Sequence, residues 1–301
     1  MNPGQLRHGA FVYDGDGEYV ARSLAFLNEG LEGGEGCIVA HTRDGIALMR
    51  DALGDDAERV TFVDVGAVYT RPARALASYC RTLRRELRTA PSVRAVADLQ
   101  IGPLRDEWDE WAGYEAMTNL AYAHLPAWVV CTYDANALPD AVLEEMSRTH
   151  AEVLDDGWHA SEHFEDPREL IRRVTPEPEP IPQLRPLAAG DDLERFRELL
   201  ARELMAAKVT EAAALDILVA ATEVADNAVR HGGGIAEVGV GTAAGRFVCE
   251  VTDRGAGFDD PMTGYIVPRP GTGSGLWVAR QLAWRLESFH SPRGFTVRVW
   301  L

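Results

Sequence analysis

Residues 8–150 alternate short apolar runs with longer amphipathic ones, and this alternation narrows the fold more than any other feature of the chain. His8–Tyr13, Cys37–Ala40, Val60–Asp64, Val93–Ala97 and Trp128–Tyr133 read as strands. Between them, Glu18–Glu32, Asp44–Leu53, Arg71–Arg88, Glu107–His124 and Pro139–Thr149 carry apolar residues at helical spacing, as in Val20, Leu24, Leu27 and Leu31. Continuous apolar strands need cover on both faces. The expected fold class is therefore α/β, with a mostly parallel, doubly wound sheet. Such a sheet binds ligands beyond its C-terminal strand ends, where His41, Asp64, Gln100 and Asp134 stand. The turn His41-Thr-Arg-Asp-Gly45 has no GxxxxGK[ST] pattern, which argues against a nucleotide hydrolase in this half. His8, His41, Cys37 and Cys131 show no metal-ligand spacing and read as core or surface residues.

The pattern breaks at Thr175-Pro-Glu-Pro-Glu-Pro-Ile-Pro182. Alternating Pro and Glu favours an extended, semi-rigid spacer without a packed core. A chain of 301 residues has room for two domains. The expected boundaries are a first domain at 1–166, a helix end and linker at 167–182, and a second domain at 183–301. The net charge of −17 argues against nucleic acid as a direct partner, because phosphate neutralisation needs clustered Lys and Arg. The four cysteines form no CxxC and read as small core residues in a reducing compartment. No apolar run approaches the roughly 20 residues that span a bilayer, and Met-Asn-Pro-Gly-Gln-Leu-Arg-His lacks a signal-peptide core. These features lead to the expectation of a soluble cytoplasmic protein without membrane contact.

Beyond the linker, Gln183–Ala189 reads as an edge strand. A helix capped by Asp191 or Asp192 follows and runs to about Ala207. Thr210 is placed to cap a second helix, with Leu215, Leu218, Val219 and Thr222 on one stripe and Ile217, Ala221, Val224 and Ala228 on the next. Residues four apart share a helix face, so Glu223 and Asn227 point the same way, one turn apart, before Gly232-Gly233-Gly234 stops the helix. Ala236–Gly241 and Arg246–Thr252 form an antiparallel pair, and Asp253-Arg-Gly-Ala-Gly-Phe258 comes directly after it. Gly271-Thr-Gly-Ser-Gly-Leu276 precedes a helical run at Trp277–Arg285, and Phe295–Leu301 closes the chain as a strand. One mixed sheet with helices on one face fits this order. A glycine-rich turn opening a helix is a natural phosphate site, because its N–H groups are accessible and the helix N-terminus is electropositive.

Together these three stretches resemble the GHKL ATPase domain of histidine kinases, gyrase-type ATPases and anti-sigma-factor serine kinases. Glu223…Asn227 matches the N box, Asp253-x-Gly255-x-Gly257-Phe258 the G1 box, and Gly271-x-Gly273-x-Gly275-Leu276 the G2 box. The stretch Asn-Ala-Val-Arg-His-Gly, residues 227–232, is similar to the anti-sigma branch. The resemblance covers residues 183–301 and implies a Bergerat-type α/β two-layer sandwich that binds ATP and Mg²⁺. It implies that Asn227 holds Mg²⁺ through a hard carbonyl oxygen, and that Asp253 accepts from the adenine amino group. Gly255, Gly257 and Phe258 would line the base and ribose, and Gly271, Gly273, Ser274, Gly275 and Leu276 the phosphates. Arg230 matches the motif and joins the nucleotide-binding set. Residues 259–270 would form a lid, with Arg269 as its basic residue. Glu223 would be the catalytic base that takes the proton of an attacking hydroxyl. The family tends to carry Gly-Thr before the last strand; here the order is Gly294-Phe295-Thr296, so Thr296 is left outside the site. The helix over 191–207 contains no histidine, which argues against a two-component phosphoacceptor.

The first half also resembles a family. His8-x-Ala-Phe-Val-Tyr-Asp-x-Asp-x-Glu-Tyr19, Glu29-Gly-Leu-x-x-Gly-Glu35 and Ala127-Trp-x-x-Cys-x-Tyr-Asp-x-x-x-Leu-Pro139 are similar to the MEDS sensory domain of the DcmR type. Ala97-Asp-Leu-Gln-Ile-Gly-Pro-Leu104 departs from that family's Gly-Glu-Pro-Ile-Trp-like signature. The resemblance implies a sensor of a small apolar ligand. Both resemblances together imply an anti-sigma regulator: a sensory domain governs an ATP-binding domain that sequesters a sigma factor and phosphorylates an antagonist (anti-anti-sigma) protein on Ser/Thr, with homodimerisation as a further expectation. Two other readings stay open: an ATP-binding switch without phosphotransfer, and a sensor with a degenerate ATPase half.

Overall fold

The computed structural model describes residues 5–68, 71–98, 105–268 and 273–301. The chain divides into two compact units, Met1–Thr175 and Pro176–Leu301.

The first unit runs β1 (Arg7–Tyr13), α1 (Asp16–Glu32), β2 (Gly36–His41), α2 (Arg43–Leu53), β3 (Val60–Asp64), α3 (Val65–Val68), α4 (Pro72–Glu86) and β4 (Val93–Asp98). It continues with α5 (Arg105–Ala121), β5 (Ala127–Asp134), α6 (Asp140–Thr149), β6 (Glu152–Leu154), β7 (Trp158–Ala160) and α7 (Pro167–Val174). The strands form one sheet in the order β3-β2-β4-β5-β1-β6-β7. Every pair is parallel except β6 with β7 at the edge. This is the expected mostly parallel sheet, extended by a short hairpin whose three-residue strands carry too little pattern to be read in advance.

Side chains alternate across the strands. Phe11, Tyr13, Cys37, Val39, Val96 and Val130 share one face with Tyr19, Phe26 and Leu27 of α1 and Met49 of α2. His8, Ala10, Cys131 and Tyr133 are buried on the other face. There Trp108 of α5 meets Tyr133 edge-on at 6.4 Å, and the Tyr122 hydroxyl, just past α5, donates to Leu76 O of α4 at 2.7 Å. Both faces are therefore covered, as the apolar strands required, and each large buried apolar side chain contributes about 1.5–3 kcal/mol. The helix α7 packs into this unit beside α5 and buries Leu170 and Ile171. Asp166 caps it by accepting from Arg168 N and Glu169 N. All four cysteines are free and buried.

The second unit runs β8 (Arg185–Pro186), α8 (Leu193–Ala206), α9 (Glu211–His231), β9 (Ile235–Ala243), β10 (Arg246–Asp253), α10 (Gly275–Leu282), β11 (Arg285–Ser291) and β12 (Gly294–Trp300). Its sheet order is β11-β12-β10-β9-β8, and all pairs are antiparallel. The sheet is thus not mixed. The expected edge strand shrinks to two residues, and α10 ends at Leu282 because Arg285–Ser291 pairs with β12 as a strand. Phe196 and Leu200 of α8, Ile217 and Val224 of α9, and Ala279 of α10 join Val238, Val251, Val297 and Val299 in one core between helices and sheet. The two aspartates before α8 divide their work. Asp192 caps the helix through Glu194 N and Arg195 N, while Asp191 accepts from Ile235 N at 2.7 Å and ties the start of β9. Thr210 holds the N-cap position of α9 without a side-chain capping bond.

The β9–β10 hairpin turns on Ala244 and Gly245, both left-handed, with φ of 48° and 74°. A left-handed conformation costs a residue with a Cβ roughly 1–2 kcal/mol, which Asn offsets locally. Ala244→Asn is expected to raise stability by about 0.5–1 kcal/mol in denaturant titration; no gain would contradict the strain assigned to this turn.

Candidate functional site

Burial of Ile217, Ala220, Ala221, Val224, Ala225 and Ala228 fixes the rotation of α9. Of the two apolar stripes, the one with Ile217, Ala221, Val224 and Ala228 faces the core, and Leu215 of the other is 61% exposed. The same rotation leaves Glu223 and Asn227 half-buried on the flank of the helix. Both meet the start of α10. A Cβ built on Gly275 would stand 2.6 Å from Glu223 Oε2 and 3.3 Å from Asn227 Nδ2. The N-box pair and the G2-box glycine, 48 residues or more apart in sequence, therefore share one small space.

Asp253 ends β10 and is half-buried. Gly255 N donates to its Oδ1 at 2.8 Å. Burial pushes the Asp253 carboxyl above its ordinary value, and the Gly255 N–H opposes that shift. Two glycines outside the expected set make room for it. A Cβ on Gly232 would fall 2.4 Å from Asp253 Oδ2, and one on Gly294, whose φ is +144°, would fall 1.8 Å from Asp253 O. Gly232 had signalled only a helix stop; its nearness to Asp253 arises from folding.

Gly257 adopts φ +71°, and a Cβ there would collide with the Phe295 ring at 2.1 Å. Phe258 packs edge-on against the same ring at 4.8 Å. Phe295 of β12 thereby holds the G1 turn. Next to it, Thr296 is buried, with its hydroxyl 2.8 Å from that of Thr252. Thr296 is thus one register step from the Asp253–Phe295 pair.

Ser274 is the N-cap residue of α10 but its hydroxyl caps no amide, and Gly273 and Ser274 are exposed. Leu276 is half-buried and packs onto the core. Gly271 and Arg269, together with the last residue of the expected lid at 270, lie outside the described residues. The earlier part of that segment is held down by a buried cation. Arg280 of α10 donates through Nε to Thr263 O at 3.0 Å and through Nη1 to Leu286 O at 3.1 Å, and lies over the Tyr265 ring at 4.0 Å. Burial lowers its pKa. Arg230 is exposed and ion-pairs with Asp226 one turn back at 2.9 Å.

In the first unit, the expected strand-end residues take different side-chain partners, although His41 and Asp64 stand opposite each other in the β2–β3 register. His41 Nε2 lies 2.8 Å from Asp98 Oδ2, which also accepts from the Tyr13 hydroxyl at 3.4 Å. Asp64 accepts from Arg43 Nε, and Asp134 from Asn136 N. Gln100 lies outside the described residues. His8 and Cys131, read as packing residues, are indeed in the core, yet they converge there with Glu115 and His150. The sequence reading missed those two partners.

A five-stranded antiparallel sheet, three helices packed on its core face, and the Glu223–Asn227–Gly275 junction describe the second unit. Residues 187–301 match the family model of the histidine kinase-like ATPase domain. In this ATPase-like unit, α9 carries the N-box pair and the segments after β10 and before α10 carry the glycine-rich boxes. Residues 7–151 match the model of MEDS, the MEthanogen/methylotroph, DcmR Sensory domain. No curated protein matches the chain. A sensory-type match joined to an ATPase-type match suggests a regulatory protein that binds nucleotide, with Mg²⁺ typical of the latter, and suggests kinase or ATPase activity. Among the described residues no helix is long and apolar enough to cross a membrane.

Proposed function

We propose that the chain is an anti-sigma regulator. Its ATPase-like unit binds Mg-ATP, phosphorylates an antagonist protein on Ser or Thr, and sequesters a sigma factor under control of the sensory unit. The observation that carries this reading is the meeting of Glu223, Asn227 and Gly275 in a space a single Cβ would fill.

The residues fit a magnesium nucleotide. Asn227 offers an uncharged hard oxygen of the kind Mg²⁺ takes beside phosphates. The amides opening α10, with no cap from Ser274, suit phosphate oxygens at a positive helix end. Asp253 packs one carboxylate oxygen against Gly232, where no side chain can stand, and its carboxylate can accept from an adenine amino group. Gly273, Gly255 and Gly257 keep side chains away from the approach, and Phe258 with Phe295 gives it an apolar wall. When bound, Mg-ATP supplies the transferable phosphoryl group and the cation neutralises its charge. Glu223, not paired with any cation in an ion pair among the described residues, takes the proton of the acceptor hydroxyl. Met205 near the end of α8 is 79% exposed and Leu215 of α9 is 61% exposed, which suits α8 and α9 to a protein partner.

Calorimetric titration of Mg-ATP into the full chain tests the nucleotide part. Saturable one-to-one binding is expected, weakened about 100-fold or more by Asp253→Asn and by Asn227→Ala, the cost of leaving a site's polar groups unmatched. Unchanged affinity in both variants would contradict the site.

A further inference from the structure

The first unit contains a second constellation, unrelated to nucleotide binding. His8 of β1, Glu115 of α5, Cys131 of β5 and His150 after α6 are all buried and bring one ligand atom each to within 4.8 Å of one another. Glu115 Oε2 lies 3.2 Å from His8 Nε2, 3.5 Å from His150 Nε2 and 3.5 Å from Cys131 Sγ, and Cys131 Sγ lies 3.5 Å from His8 Nε2. Four donors on a tetrahedral metal, at bonds of about 2.0–2.3 Å, stand about 3.3–3.8 Å apart. Four of the six donor pairs already stand close to that spacing, at 3.2–3.5 Å, and the other two lie within 4.8 Å.

The surrounding hydrogen bonds fix the imidazole tautomers. Asn119 Nδ2 donates to Glu115 O at 3.2 Å and Thr149 O at 2.9 Å, which turns its Oδ1 toward His8 Nδ1 at 3.2 Å. Oδ1 can only accept, so the His8 proton sits on Nδ1. His150 Nδ1 lies 3.0 Å from Met146 O and 2.9 Å from the Thr149 hydroxyl, which itself donates to Met146 O at 2.9 Å, so both neighbours are met when Nδ1 carries the proton. Both Nε2 lone pairs then point at a carboxylate oxygen, with no proton between them in the neutral state. His150 Nε2 and Glu115 Oε1 have no hydrogen-bond partner although both are buried. Such a meeting of electron-rich atoms in a dry core is costly. One proton shared between Glu115 and one ring satisfies one of these contacts and leaves the other Nε2 facing the carboxylate, while protonating both rings buries two cations against one carboxylate. A divalent cation relieves all of it at once. The arrangement of ring Nε2 toward the centre and ring Nδ1–H toward backbone or amide oxygen is the outer shell that metal-binding histidines use.

We infer that His8, Glu115, Cys131 and His150 form a four-coordinate site for a divalent transition-metal ion, of the zinc class, at the centre of the sensory-type unit. Two imidazoles, a carboxylate and a thiolate make a borderline-soft set that suits Zn²⁺, Co²⁺ or Fe²⁺ over Mg²⁺ or Ca²⁺. Cys131 gives up its thiol proton to become the thiolate ligand, and that proton leaves to solvent when the ion binds. The ion ties β1 and β5 to α5 and to the end of α6, so occupancy stabilises this unit by linkage.

The test uses the full chain, freed of metal by a chelator and titrated with Co²⁺ under reducing conditions. One equivalent is expected to bind, with visible bands of tetrahedral Co²⁺ and a near-ultraviolet thiolate-to-cobalt band, both displaced by Zn²⁺. Cys131→Ser is expected to lose the thiolate band while keeping weaker visible bands; His150→Ala is expected to lower affinity at least 10-fold, the usual scale for a ligand. The parent titration alone decides the matter if a variant fails to fold. No stoichiometric binding by the folded parent, or bands that survive both substitutions, would overturn the inference.

Discussion

Glu223→Gln is expected to abolish phosphotransfer while leaving nucleotide affinity within about threefold. A positioned general base contributes about 10²–10⁴ in rate, so the rate of phosphate appearance on the protein acceptor falls by that factor. Gln has the same shape and fills the same space beside Gly275, so the α9–α10 junction keeps its geometry. What Gln cannot do is take a proton. Asn227, proposed to hold the cation, remains one turn away, and Asp253 remains at the end of β10. Calorimetry for Mg-ATP and radiolabel transfer to the acceptor separate the two effects. Retained transfer would remove Glu223 from the chemistry and favour a switch that binds ATP without transferring phosphate. Loss of binding and transfer together would make Glu223 a structural support of the junction.

The largest stability effect is expected at Arg298, in the middle of β12. Its side chain is 3% exposed and faces away from the helix-covered core. Register places Glu250 of β10 and Glu287 of β11 directly on either side of it. Arg298 Nε donates to Glu250 Oε1 at 2.5 Å, Nη1 to Glu287 Oε2 at 3.0 Å, and Nη2 to Glu179 O at 2.9 Å. Trp300 Nε1 donates to the same Glu287 oxygen at 2.8 Å. Arg298→Ala leaves two carboxylates facing an unfilled gap between neighbouring strands. Breaking a buried pair by removing one partner costs about 3–5 kcal/mol, which is a large share of a domain's net stability. Denaturant unfolding of the second unit should show that loss, and replacing all three residues by Met, Gln and Gln at 298, 250 and 287 should recover part of it. A loss below about 1 kcal/mol would mean that the network is solvated and contributes little.

The legibility of this chain follows the range of the interactions involved. Val60–Asp64 was placed to the residue because Val60, Phe62 and Val63 stand in one five-residue run between a charged turn and a helix, which leaves one arrangement. The Pro/Glu run marked the break between units, yet α7 before it belongs to the first unit because Leu170 and Ile171 find a buried place beside α5, a contact no local pattern announces. The three glycine-rich and N-box motifs were visible singly, but that Gly275 fits between Glu223 and Asn227 is a tertiary fact. Gly232 and Gly294 escaped assignment for the same reason, since the residue that needs their bareness, Asp253, is distant in sequence. Which of the two stripes on α9 faces inward was not legible, because only packing chooses between them, and Leu215 ends up exposed. The set of His8, Glu115, Cys131 and His150 was illegible because its members come from four elements and share no spacing.

The most direct measurement of the central claim is a crystal structure of the chain with Mg²⁺ and a non-hydrolysable ATP analogue. The account predicts the cation on Asn227 Oδ1, the adenine amino group on Asp253, the phosphates at the N-terminus of α10, and the γ-phosphate facing Glu223. A nucleotide bound elsewhere, or at this site with Asn227 and Asp253 both uninvolved, would contradict it.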